Sequence, residues 1–454
     1  MLPQTAIAEV LAARIAALQP GGLPAVTAHK CESLLVDVVG LCVTARNEDY
    51  VRGALAGCDD DGPCTAIGHA RTLNASGAAF VNGTAAHGED FDDTFEGGPV
   101  HAGAVIVPAV LAACERHNPD GRMALTGIAV GTEVLCRLSL VVPKAVHKAG
   151  FHPTAVFGAM GAAAGVGAAL GLNAKQIVDA LGIAGSMAGG IIEYLAEGAW
   201  TKRLHAGWAA QSGIRAALLA RGGFVGPRTV FEGVHGLFQG FAHTTKGDYD
   251  ALVGDFGVRW VTDTLAFKPY PCGTMAQPYI DCARRLAGRG IKAEDVAEVV
   301  CEVAEGTVHR LWEPLADKQR PRNGYAAKFA VPYLLAAGFV RGGVGLGAFT
   351  ESAIADPRVL ALAAKVKFVI DPDNPYPSNY TGHMRVTLKD GSVVEERQPH
   401  LRGGAQEPLT RQDVIDKFLL NVEHGGWSKA RGEAALRLMA ALYNGRIDLT
   451  SLRG

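Results

Sequence analysis

The chain has 454 residues, of which 48% are hydrophobic and 19% charged, with a formal net charge of −2. That length exceeds what one hydrophobic core organises, so two or more domains are expected. The composition excludes a disordered chain. With no basic surplus to neutralise phosphates, nucleic acid is excluded as the main partner.

Taken in order, residues 4–54 read as helices. The beginning, Met1–Leu18, lacks a basic leader and has the pattern of an amphipathic helix. Val36–Val43 continues an apolar face, with His29 and Lys30 expected at the surface. An Asp- and Gly-rich loop, Cys58–Gly62, leads to a helix over Ser76–His87, where Asn82 and Gly83 suit only a crowded environment. The next stretch, His87–His101 (HGEDFDDTFEGGPVH), concentrates acids and two histidines in an otherwise apolar region. From Ala102 to Leu181 small and apolar residues recur at helical spacing, broken near Pro119–Gly121 and Gly150–Pro153. Thr154–Leu172 has so few polar groups that it must be buried on most sides. Gly182–Gly190 repeats the pattern, charge returns over Glu193–Ala206, and another helix is expected at Trp208–Arg221. The 57 glycines, many beside alanines, point to close helix packing. No run of about 18 apolar residues is free of Gly or charge, so no membrane span is expected.

The texture changes near residue 266. Lys268–Pro278 (KPYPCGTMAQP) cannot be helical before its last proline. Val296–Val303 alternates as a strand, and Met384–Gln398 reads as a hairpin around an Asp390-Gly391 turn. Helices are expected at Tyr325–Val340 and Arg358–Lys367, then at Thr410–Val422 and Lys429–Tyr443. The fold class is therefore mainly α: an all-helical domain from residues 1–266 and 406–454, and an α+β domain over 267–405. The nine cysteines are odd in number and show no zinc-type CxxC spacing, which suits reduced thiols in a cytoplasm.

Several residues carry candidate chemistry. Asp90, Asp92, Asp93 and Thr94 form DxDDTF, superficially the start of a magnesium-dependent phosphatase, but the preceding GTAAHGE is not the buried strand that chemistry needs. A metal site joining these acids to His87 or His101 is the next alternative, set against helix caps and a solvated turn. The glycines of GGVGLG at 342–347 follow a helix-like run and read as a loop, not a dinucleotide fingerprint. His152 lies in GFHP, between a break and a buried helix. Lys202 and His205, in TKRLHAG, share a face if helical. Lys268 and Thr274 flank the proline-bounded turn, and Tyr333 sits in FAVPYLLAA, where a packed tyrosine is the simplest reading.

Five stretches, in order, resemble the MmgE/PrpD family: AHGEDFDDTF…VHAGAVIVPAVLAACE, GFHPTAVFGAMGAAAGVGAALGL, WTKRLHAGWAAQSGIRAALLARGGFVGP, KPYPCGTMAQP and AAKFAVPYLLAAGFVRG. That family includes 2-methylcitrate dehydratase, cis-aconitate decarboxylase and iminodisuccinate epimerase. The resemblance implies a large helical domain with a smaller α+β lid domain, a homodimer, no cofactor and no metal. It also implies small di- or tricarboxylate substrates whose reactions move a proton next to a carboxylate. Carried over by motif, the site comprises Asp90 and Thr94 (DFDDT), His101 (VHAG), His152 (GFHP), Lys202 (TKRLH), Lys268 (KPYP) and Tyr333 (VPYLL).

These residues suit that chemistry. Lys202 and Lys268 supply cations for carboxylates, and Asp90 and Thr94 share a face if their segment is helical. His101 or His152 shuttles the proton, and Tyr333 or a lysine steadies the enolate-like charge. His205, Cys272 and Thr274 add binding contacts, while Asp92 and Asp93 cap and hold the segment. One departure stands out. Gly273 occupies the place where decarboxylase-type members carry a histidine five residues after the lysine, and Gln277 replaces a later histidine. The loop is polar but weakly basic, and Cys272 reads as a small packing residue before a nucleophile. Dehydration of a 2-methylcitrate-like hydroxy acid is accordingly the favoured expectation. Epimerisation of a small dicarboxylate, cis-aconitate-type decarboxylation and a non-catalytic binding role are the alternatives.

Overall fold

The structure is a computed structural model that describes residues 5–59, 61–98 and 100–454. Met1–Gln4, at the start of the expected first helix, lie outside the described residues; that helix runs Ile7–Ala17. The chain divides into two compact units, residues 1–265 with 410–454 and residues 266–409.

The first unit is a helical body. Its core helices are Ala25–Ala45, Ala75–His87, Gly103–His117, Gly121–Val141, Pro153–Ala169, Ala174–Met187 and Thr201–Arg221. Small residues set how closely they pack. A Cβ on Gly127 would lie 2.6 Å from the Gly165 carbonyl oxygen, and one on Gly83 would lie 2.8 Å from Gly207 Cα. Both pairs of helices therefore cross with backbone against backbone, a contact only glycine permits. The second crossing brings the end of Ala75–His87 beside the start of Thr201–Arg221, which fixes where His87 lies relative to Lys202 and His205. Asn82, the other poor helix former, is satisfied at both ends of its amide: Oδ1 accepts from Ile67 N at 2.8 Å and Nδ2 donates to Thr65 O at 2.9 Å.

Gly121–Val141 is long and apolar enough to cross a bilayer by composition alone, yet 89% of its apolar window is buried within the protein. It also carries a fully buried ion pair, Arg137 Nε to Glu133 Oε1 at 2.5 Å. The pair is not left to itself. Glu133 accepts from the amides of Val261 and Thr262, both at 3.0 Å, and Arg137 reaches Asp255 at 2.6 Å. Buried charges persist only when paired and hydrogen-bonded in this way.

Three features of this unit differ from the sequence expectation. The helix expected at Trp208–Arg221 begins at Thr201, so Lys202 and His205 are helical residues. The body is not purely α, because Asp61–Thr65 pairs antiparallel with Thr72–Leu73. Lys30 is half-buried rather than on the surface, with Nζ donating to Leu265 O at 2.9 Å.

The second unit is α+β. Its four-stranded sheet runs Val366–Ile370, Val296–Val303, Gly382–Leu388, Val393–Gln398 in space; the first pair is parallel and the others antiparallel. The hairpin turns through Asp390-Gly391, with Gly391 at φ +86°. Helices Gln277–Gly288 and Val331–Arg341 contribute Ile280, Leu334 and Leu335 to a core that also holds Trp312, Val299 and Met384. Two helices are shorter than expected. Tyr325–Val340 is split into Gly324–Ala327 and Val331–Arg341, since Pro332 belongs in a first turn and cannot donate inside one. Arg358–Lys367 ends as a helix at Ala363, and its β-branched end becomes the edge strand Val366–Ile370.

Candidate functional site

The acidic stretch is not helical. After His87 the chain turns, and Asp90 takes φ +55°, a left-handed conformation that costs a non-glycine residue energy. Asp90 and Thr94 therefore do not share a helix face as expected, and Thr94 falls instead in the two-residue strand Thr94–Phe95. The segment is held from outside by the C-terminal part of the unit. Lys417, on helix Arg411–His424, donates to the Phe91 carbonyl at 2.7 Å, pairs with Asp37 at 2.7 Å and lies 4.0 Å over the Phe91 ring.

Three acids of the stretch have different tasks. Asp90 pairs with Lys202, and both are largely buried. Burial opposes the charge on Lys202, but Asp90, Tyr194 and Asp92 together outweigh it and the ammonium pKa is raised. Asp93 accepts from the Ala102 and Gly103 amides at 3.0 and 2.8 Å, so it caps the helix that begins there. Burial, with Asp92 and Asp37 nearby, pushes its carboxyl up to about 7. Asp92 lies fully buried with Oδ2 2.6 Å from His87 Nδ1. It therefore does not simply cap the segment. Among the described residues no group of three or more His, Cys, Asp or Glu side chains is arranged to hold a metal ion.

Four imidazoles gather above these acids. Ring centroids of His87 and His101 are 5.2 Å apart, those of His87 and His152 5.6 Å, and those of His152 and His205 5.3 Å. Tyr194 edges onto His152 and His205 at 6.2 and 5.8 Å. His152 is placed by its main chain: its N–H donates to Gly190 O at 2.8 Å, and it caps Pro153–Ala169. Its Nδ1 lies 3.1 Å from His205 Nδ1. One of the two nitrogens must donate and the other accept, so the rings are opposite tautomers. Both are held neutral. Burial, then His87, His205 and Lys202, push His152 well below its ordinary pKa, and burial with His87 and Lys202 takes His205 down to about 4.

His101 is oriented differently. Its Nδ1 is 2.7 Å from the Asp93 carbonyl, its main-chain N–H donates to Thr154 Oγ1 at 3.2 Å, and its side chain retains 14% exposure. A carbonyl can only accept, so Nδ1 carries the hydrogen and Nε2 is the basic nitrogen of the neutral ring.

The structure thus brings together Asp90, His101, His152, Lys202 and His205, with Thr94 buried nearby in sequence. The remaining expected residues belong to the second unit. Lys268 and Cys272 are buried there, Cys272 within the apolar core, and Thr274 is half-buried. Tyr333 is fully buried, and its hydroxyl donates to the Ala348 and Ala353 carbonyls. None of the nine cysteines is disulfide-bonded. A cleft of about 670 Å³ in the same unit is lined by Asp281, Arg284, Arg285 and Arg402 among others, none of them singled out from the sequence. Sequence reasoning misses His87 and Asp92 as a pair, although both lie in the acid-rich stretch. Their five-residue spacing has meaning only once the turn at Asp90 folds one back on the other.

A helical body that clusters imidazoles over a lysine–aspartate pair, with an α+β unit, agrees with the two-domain architecture that the family resemblance implies. Residues 9–250 match the MmgE/PrpD N-terminal domain and residues 270–440 the MmgE/PrpD C-terminal domain. The chain belongs to the MmgE/PrpD family. It is 27% identical to the cis-aconitate decarboxylase-like protein oryM of Aspergillus oryzae, over 88% of this chain and 87% of that protein. It is 32% identical to the cis-aconitate decarboxylase of Mus musculus over 76% and 71% of the two chains. The 2-methylcitrate dehydratase of Cupriavidus necator is 25% identical over 50% and 48%.

Proposed function

We propose that the chain is a lyase that removes a proton next to a carboxylate of a small hydroxy di- or tricarboxylate and eliminates water. The observation that carries this reading is the orientation of His101. With Nδ1–H spent on the Asp93 carbonyl, its partly exposed ring presents a basic Nε2, the arrangement a general base requires. Lys202, kept charged by Asp90, offers a cation for a substrate carboxylate. The neutral His152–His205 pair supplies hydrogen bonds without adding charge.

In the forward direction the C–H electron pair moves into the adjacent carboxylate as an enolate-like charge, and His101 takes the proton. The enolate collapses to a double bond as hydroxide departs, and the proton leaves with it as water. The relatives named for decarboxylation favour a second reading, in which a C–C bond to a carboxylate breaks instead. Gly273 speaks against it, since the place held by a histidine in decarboxylase-type members has no side chain here. The test is to incubate the protein with 2-methylcitrate and with cis-aconitate in deuterated water. Expected is an unsaturated acid from the first, followed by its ultraviolet absorbance, and no carbon dioxide from the second. Carbon dioxide release would establish the decarboxylase reading, and deuterium incorporation with inverted configuration an epimerase.

The same proposal includes a homodimer. Trp200, Leu204 and Trp208 recur every four residues, and Leu219 lies on the same side of helix Thr201–Arg221; all four are exposed. An apolar stripe of this kind suits a self-complementary contact with a second copy.

A further inference from the structure

We propose that Asp92 is a positioning residue whose carboxylate is shared between His87 and His101, so that it supports the charge His101 acquires with the substrate proton. This deepens the reading above and rests on it for its catalytic meaning. The Asp92 side chain is fully buried, with Oδ2 2.6 Å from His87 Nδ1 and Oδ1 4.0 Å from His101 Nδ1. Two neighbouring acids are engaged elsewhere: Asp90 on Lys202 and Asp93 on the Ala102 and Gly103 amides. Asp92 is the carboxylate that faces both imidazoles.

His87 completes the arrangement. A carboxylate at its Nδ1 fixes hydrogen there, so its lone pair is on Nε2, which is buried and has no hydrogen-bond partner among the described residues. A buried acceptor without a partner is costly and is retained where it serves a purpose. Here the ring is a wall: it stacks on His152 and lies 5.2 Å from His101. When His101 takes a proton at Nε2, Asp92 is a counter-charge 4.0 Å from the same ring. The two rings lie 5.2 Å apart over one carboxylate, so a charge gained by one is felt by the other. The other groups facing this pair oppose or balance that charge. Lys202 with Asp90, and Lys417 with Asp37, are compensated pairs. His152 and His205 are neutral, with Tyr194 at their edge, and Asp93 lies beside Asp92.

Two substitutions make opposite predictions. Asp92→Asn keeps an oxygen to accept from His87 Nδ1 and removes only the charge. The acid-side fall in the rate of 2-methylcitrate or cis-aconitate turnover should move to lower pH by about one unit, with the plateau down about tenfold. His87→Gln leaves Asp92 to His101 alone and should move that fall to higher pH. A structural role would lower the rate at every pH without moving either profile in these directions, and that result would overturn the proposal. Histidine ring ¹⁵N spectra of the full chain decide the matter even if neither acid is turned over. Expected are Nδ1–H tautomers for both His87 and His101 and, on acidification, one proton taken up by the pair before a distinct second. Independent, simultaneous uptake, unchanged in Asp92→Asn, would sink the idea whatever the substrate. A wild type that turns over neither acid but shows the two-step uptake would instead count against the proposed function alone.

Discussion

The stretch His87–His101 and the loop Lys268–Pro278 are both short, irregular and polar, yet they use their polar atoms in opposite ways. In the first, Asp90, Asp92 and Asp93 have separate partners, and its histidines are held by a carboxylate and a carbonyl. In the second, polar atoms are absorbed into packing. Gln277 Nε2 donates to Tyr270 O at 3.3 Å, Cys272 lies in the apolar core, and the hydroxyl of Tyr333, farther along the same unit, is given to main-chain carbonyls. The imidazoles and their acid partners therefore concentrate in the helical unit. The lesson is that polar composition does not locate chemistry; what each polar atom is bonded to does.

That contrast can be broken. The largest effects are expected from His101→Gln and His152→Gln, each lowering turnover of the converted acid by about 100-fold or more. Tyr333→Phe removes a hydroxyl that donates only to main-chain carbonyls and should cost less than about tenfold. A loss in Tyr333→Phe equal to that of the histidines would erase the distinction between the two regions.

Next in size is the backbone crossing that places the cluster. A Cβ at Gly207 would run into the Phe80 carbonyl and Thr84. Gly207→Ala should therefore cost about 1–3 kcal/mol in chemical denaturation, from overpacking against a backbone that cannot yield. Gly240, with nothing near its Cβ position, is the control for a substitution without a clash.

Acid sensitivity sharpens the comparison. His152 and His205 bind protons less readily folded than unfolded, so the stability they contribute is complete above about pH 6.5 and is lost as pH falls. For His205, taken from 6.5 down to about 4, the loss across that window is roughly 3 kcal/mol. Asp93, raised from 3.8 to about 7, works the other way: its contribution is present at low pH and fades as pH rises towards 7. Thermal melts between pH 4 and 7 should show stability falling on acidification, and more steeply in Asp93→Asn, where the opposing contribution is gone. A flat profile in both would mean that the imidazole cluster is not held neutral.

The smallest effects belong to two surface and packing tests. Trp208→Lys should shift the protein towards monomer in sedimentation velocity, with folding intact; an unchanged mass would remove the exposed stripe as the contact. Cys272→Ser should lower stability by about 1–2 kcal/mol through an imperfectly paired buried hydroxyl while turnover persists. Abolished turnover in a folded protein would make the thiol a nucleophile.

Much of the molecule is legible in its amino-acid sequence. The small-residue helices, the Val296–Val303 strand, the Asp390-Gly391 hairpin and the positions of His101, His152 and Lys202 follow from periodicity, turn chemistry and motif. Those signals are local, and the forces behind them act within a few residues of chain. Where local periodicity misleads, a longer-range demand wins: Pro332 splits one expected helix, and Val366–Ile370 leaves another to join a sheet. Sequence alone determined which side chains exist near one another along the chain and that small residues would let helices close. Only the tertiary structure decided that Asp90 turns left-handed, that Gly83 meets Gly207, and that Asp92 faces two histidines. Those outcomes depend on contacts between segments far apart in the chain, where burial sets the cost of every unpaired charge and partner choice is made by geometry, not by spacing.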